Sequence, residues 1–103
     1  MQGKKVLFVD DDSFIQASGK ALLTVLKTEF VIAGGGVEAV KIFESSGGKF
    51  NSLVIDIHMP DKDGYEVCKE LRAIEKSKGW ARSKMIAMSG GILFFFIITK
   101  TLK

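Results

Sequence analysis

The sequence predicts an α/β fold, a doubly wound five-stranded parallel sheet. Three observations point to it. Five short apolar runs punctuate the chain: Val6–Val9, Phe30–Ala33, Leu53–Ile57, Met85–Met88 and Phe94–Ile98. None alternates polar with apolar residues (the acid at Asp56 apart), as suits strands buried on both faces. Segments of helical period separate the first four runs, and short connections with right-handed crossovers turn that order into a doubly wound sheet.

Taken in order, the first run ends in Asp10, Asp11 and Asp12. A helix follows over Ser13–Thr28, with Ile15, Leu22, Val25 and Leu26 as its apolar stripe and Ser13 as its cap; Gln16 completes a capping box. Beyond the second run, Gly34-Gly35-Gly36 leads into a short helix with Val37, Val40 and Phe43 on one face. The third run carries Asp56 at its end. Asp63 then stands where an N-cap belongs, with Glu66 three residues on, and the helix Tyr65–Lys76 buries Val67, Cys68, Leu71 and Ile74. After the fourth run only Ser89–Leu93 precede the Phe-rich fifth, which leaves no room for a helix.

Composition narrows the function classes. The chain has 103 residues, 47% apolar and 26% charged, which suits one small domain (residues 1–103) with one core. Its net charge is +3, but the basic residues are scattered and not interleaved with aromatics, so direct nucleic-acid binding is not expected. The single cysteine, Cys68, rules out an internal disulfide and fits a reducing compartment. The N-terminus is no signal peptide, and Ile92–Ile98 falls far short of the roughly 20 residues of a spanning helix. A cytoplasmic protein without a membrane segment is expected.

Chemistry gathers where strands end, since ligands of open α/β sheets bind outside the carboxyl ends of the strands. Asp10, Asp11 and Asp12 follow the first strand, Asp56 ends the third, Ser89 follows the fourth and Lys100 the fifth. Carboxylates about 4 Å apart repel by about 4 kcal/mol at an effective dielectric of 20. Lys100 can offset part of this. A hard divalent cation with oxygen ligands, Mg²⁺ or Mn²⁺, offsets the rest. The same set of groups stabilises a phosphoryl group in transfer, with a carboxylate as nucleophile. Gly34-Gly35-Gly36 and Gly47-Gly48-Lys49 do not match a phosphate-binding loop and read as turns.

Val9-Asp10-Asp11, Asp56-x-x-Met59-Pro60-x-x-Asp63-Gly64, Ala87-Met88-Ser89-Gly90 and Thr99-Lys100 resemble the receiver domain of two-component response regulators, of the chemotaxis-regulator kind. The resemblance implies a flavodoxin-like receiver fold and a phosphoacceptor at Asp56 that takes its phosphoryl group from a phosphohistidine. The donor would be a sensor histidine kinase or a histidine phosphotransfer protein. It further implies that Asp11 and Asp56 ligate Mg²⁺ directly, Asp10 acts through water, and His58 lends its backbone carbonyl. Ser89 would hydrogen-bond the phosphoryl group, and Lys100 would pair with it. Such a domain is a switch that catalyses only its own phosphorylation and dephosphorylation.

The chain departs from the family after Ser89. Ten residues separate Ser89 from Lys100 and three follow it, so the family's fourth and fifth helices are lacking. Either residues are missing there or the protein is remodelled. A sheet face left bare would favour a homodimer through the C-terminal region. Two other readings compete. Asp10-x-Asp12 mimics the aspartate pair of haloacid-dehalogenase-type phosphatases, and a degenerate receiver would serve only as an interaction module.

Overall fold

A computed structural model describes residues 4–89. Among these residues four strands alternate with three helices: β1 (Lys5–Val9), α1 (Ser13–Val25), β2 (Glu29–Ala33), α2 (Gly36–Ser45), β3 (Ser52–Asp56), α3 (Gly64–Lys78) and β4 (Lys84–Met88). Each observed strand begins one residue before its predicted run, and β3 stops at Asp56. The fifth predicted strand, Phe94–Ile98, and Lys100 lie outside the described residues, as does the stretch in which the fourth and fifth helices are expected to be lacking.

All pairings are parallel, in the order β2-β1-β3-β4. The chain winds outward from β1 to β2, then crosses back to lay β3 on the other side of β1. The β1–β3 junction is therefore the switch point of the sheet, where the loops diverge and leave a crevice.

Strand side chains divide between two cores, as period-two geometry requires. Leu7, Val9, Leu53, Ile55 and Met85 pack with Ala39 and Phe43 of α2 and with Val67 and Leu71 of α3. Val6, Phe8, Val54, Ile86 and Met88 form the second core with Leu23 of α1. Each fully buried large side chain contributes roughly 1.5–3 kcal/mol, so the sheet is held from both faces, as the unbroken apolar runs imply.

Helix ends differ from expectation at α1. Its N-cap is Asp12, not Ser13: Asp12 is extended, and its carboxylate accepts from the Phe14 and Ile15 amides. A carboxylate one residue earlier meets both free amides, and no capping box forms. The Gln16 side-chain amide instead donates to the Asp10 carbonyl at 2.7 Å. The helix ends at Val25, short of Thr28. Thr28 N–H bonds the Leu23 carbonyl and Lys27 N–H bonds that of Thr24, a Schellman closure. Lys27 occupies the left-handed position, φ 55°. Val25 and Leu26 consequently face outward, and the buried stripe runs through Gly19 and Leu23.

The α3 helix begins as expected, with Asp63 and Glu66 forming a reciprocal capping box. It ends at Gly79, φ 69°, a left-handed position suited to glycine. Near that end Glu75, buried in the wall between α3 and β4, accepts from the Ser83 hydroxyl at 2.6 Å, the Ser83 amide at 2.9 Å and Arg72 at 2.8 Å. Burial pushes the Glu75 carboxyl up, but Ser83 and Arg72 outweigh it and hold it below the usual carboxylate range. Among the described residues no helix is long and apolar enough to cross a membrane.

Candidate functional site

The two central strands end side by side. Val9 of β1 pairs with Ile55 of β3, which brings the next residues, Asp10 and Asp56, to the switch-point crevice. Carboxylate oxygens of Asp10, Asp11 and Asp56 lie within 4.8 Å of one another. Asp10 is buried at 3% exposure, Asp56 is half-buried and Asp11 is exposed. The site thus has a floor, a wall and a lip.

Backbone amides fix the first two acids. Asp10 accepts from the Asp12 amide at 2.9 Å, and its own amide donates to the Ala33 carbonyl of β2. Asp56 accepts from the His58 amide at 3.2 Å. Below it the Ile57 amide donates to Met88, binding β4 to the start of the loop.

Like charges at this spacing repel by about 3.5 kcal/mol or more per pair at an effective dielectric of 20. The proton affinities of Asp10 and Asp56 reflect burial first and this repulsion second. Burial pushes Asp10 up to about 6; the Asp12 amide opposes this, and Asp56, Asp11 and Asp12 add to it. Asp56 is also raised, first by burial and then by Asp11, against the His58 amide. The donor set is three carboxylates without a nitrogen or sulfur ligand, one of them solvent-facing. That fits Mg²⁺, which prefers oxygen, keeps several waters and needs few protein ligands.

Other predicted residues fall as follows. Ser89 is the residue after Met88, which pairs with Asp56, so it stands on the same edge. His58 is exposed, two residues past Asp56, and is not one of the clustered acids. Lys100 lies outside the described residues. Asp12 is engaged as a helix cap, which removes it from the aspartate pair that a dehalogenase-type phosphatase would need. Burial pushes the Cys68 thiol up, with Arg72 opposing, as for an inert core-flanking cysteine.

Several contributors were not legible. Asp61 accepts from the Gly36 and Val37 amides at the start of α2, a pairing that no local pattern announces. Gly64 lies against the Asp56 backbone. Phe14, Val37 and Tyr65, each second in its helix, are exposed large side chains on the edge that carries the acids.

Comparison with known proteins agrees with this geometry. Residues 6–91 match the family model of the response regulator receiver domain. The chain is 38% identical over 90 residues to hybrid signal transduction histidine kinase L of Dictyostelium discoideum, covering 85% of this chain and 5% of that kinase. It thus spans a small part of that relative's length. Its fold superposes with a TM-score of 0.76 on the receiver domain of the histidine kinase CKI1 from Arabidopsis thaliana, crystallised with Mg²⁺ and BeF₃⁻ (30% identity; 87% of this chain, 68% of that one). The match to the receiver domain of Ssk1, solved with the histidine phosphotransfer protein Ypd1 of Saccharomyces cerevisiae, has a TM-score of 0.71 at 27% identity (84% and 61% covered).

Proposed function

Since the chain belongs to the response regulator receiver domain family, we propose that it accepts a phosphoryl group on Asp56 from a phosphohistidine. The observation that carries this is the gathering of Asp10, Asp11 and Asp56 at the ends of the two central strands. In this reading a carboxylate oxygen of Asp56 attacks phosphorus. The O–P bond forms as the P–N bond breaks, and the departing imidazole nitrogen keeps the electron pair and takes a proton from solvent.

Asp11 and Asp56 would hold the cation directly, His58 through its backbone carbonyl and Asp10 through water. When bound, the cation neutralises phosphoryl oxygens and the repulsion among the acids. Ser89 then donates to a phosphoryl oxygen, and Lys100 supplies a pairing ammonium. The phosphoryl group adds charge and acceptor oxygens next to β4, which gives the switch its driving force.

The donor is a sensor histidine kinase or a histidine phosphotransfer protein, by analogy with the Ypd1 complex. Phe14, Val37 and Tyr65 offer it apolar purchase beside the acids. Residues 1–103 act as one cytoplasmic receiver that turns over no other substrate, and self-association through Phe94–Ile98 belongs to the same proposal. The test is to supply Mg²⁺ and a small-molecule phosphodonor and to weigh the protein. One phosphoryl group of added mass is expected in the wild type and none in Asp56→Asn. An equal gain in both would sink the assignment.

A further inference from the structure

The loop between β3 and α3 is fastened at both ends. The Ile57 amide donates to Met88, and the Gly64 amide donates to the Ile57 carbonyl at 2.8 Å. Between these points it carries His58 beside the acids, buries Met59 and exposes Asp61. The Asp61 carboxylate is not idle. One oxygen accepts from the Gly36 amide at 3.1 Å and the Lys62 amide at 2.8 Å; the other accepts from the Val37 amide at 3.0 Å.

Helix α2 has no cap of its own. Gly35, at its N-cap, has no side chain to offer, and Glu38 is turned back to the Gly34 amide. Two of the free amides of α2, those of Gly36 and Val37, are therefore met from a loop 25 and 24 residues away.

The glycine run acquires a purpose from this. A β-carbon at position 35 would sit 3.0 Å from the Asp61 carboxylate, and one at position 36 would lie 2.7 Å from the Lys62 β-carbon and 2.8 Å from a Val67 methyl. Gly35 and Gly36 are bare so that the loop can dock on the start of α2. Only Met59, held in the core, and Pro60, with its fixed φ, separate Asp61 from His58. A stretch that short and stiff passes on a displacement.

We infer that Asp61 is a positioning residue for the cation site, latching the loop to α2 so that His58 is held in place to serve Mg²⁺. This rests on the reading that the His58 carbonyl is a ligand. Mg²⁺ demands near-ideal octahedral geometry, so a loosened loop should register in affinity. Partners that orient metal ligands from outside the coordination sphere typically change affinity by about tenfold or more when removed.

The experiment is calorimetric titration of Mg²⁺ into the full, unphosphorylated chain, with melting temperatures measured alongside. Asp61→Ala should weaken Mg²⁺ roughly tenfold, and Asp61→Asn, which keeps one oxygen acceptor, should fall between it and the wild type. Gly35→Ala, which crowds the Asp61 carboxylate while leaving every acid of the cluster intact, should weaken it as well. If Asp61→Ala does not fold, the other two variants carry the comparison. Wild-type affinity in the variants, with only a lower melting temperature, would reduce Asp61 to an ordinary helix cap and overturn the inference. Asp11→Asn separates this failure from a deeper one: if it binds Mg²⁺ as the wild type does, the acidic cluster is not the cation site and both readings fall.

Discussion

Gly64 lies directly beneath Asp56: a β-carbon at position 64 would come 2.6 Å from the Asp56 carbonyl oxygen and 2.9 Å from the Ile57 α-carbon. These are backbone atoms, which cannot swing aside as a side chain can. Gly64→Ala should therefore shift the end of β3, with a loss of about 1–3 kcal/mol in urea unfolding. Phosphorylation from a small donor should slow at the same time, because the displaced atoms carry the acceptor.

Asp10 makes stability depend on pH in an unusual direction. Its carboxyl is raised from 3.8 to about 6 in the folded chain, so between these values the folded state holds a proton that the unfolded state has lost. Unfolding free energy without metal should fall as pH rises through this window, by at most about 3 kcal/mol, and level off above it. Asp10→Asn should remove its share of the fall and leave that of Asp56, whose carboxyl is raised as well. Cation binding displaces that proton, so Mg²⁺ affinity should rise from pH 5 to 7, as titration calorimetry would show.

At the far end of the sheet, Glu75→Ala would leave the buried Ser83 amide and hydroxyl without their acceptor. A loss of roughly 3 kcal/mol is expected in chemical denaturation. Glu75→Gln keeps an oxygen for one of the donors and should lose less.

Lys27 sits at φ 55° where α1 closes, a position that glycine occupies more comfortably. Lys27→Gly should raise stability by about 0.5–1 kcal/mol in the same assay, the relief of left-handed strain exceeding the added freedom of the unfolded chain.

Much of the fold was legible because each described strand holds an unbroken apolar run and a segment of helical period lies between successive runs. Asp63 and Glu66 announced their capping box because the signal is local. At α1 two residues able to cap, Asp12 and Ser13, stand together, and sequence does not say which backbone turns first. Val25 and Leu26 continue the apolar stripe in sequence yet face outward, because nothing in their type reveals that the Schellman turn begins beneath them. Asp10, Asp11 and Asp56 could be read from their places at strand ends. Asp61 and Glu75 could not, since each acts on amides that only the folded chain brings near.

The order of the strands also bears on how the site is assembled. Asp10 and Asp56 meet only when β1 and β3 pair, and that pairing joins residues 46 apart, as between Lys5 and Asn51. The β1–α1–β2 unit can form from nearer neighbours, whereas the closure of the longer loop has a larger entropy to overcome. Until that closure Asp10 and Asp56 stay apart and hydrated. Their mutual repulsion is met only at the step that builds the middle of the sheet. A divalent cation should act there as a folding ligand, slowing the separation of the two strands far more than it speeds their first encounter.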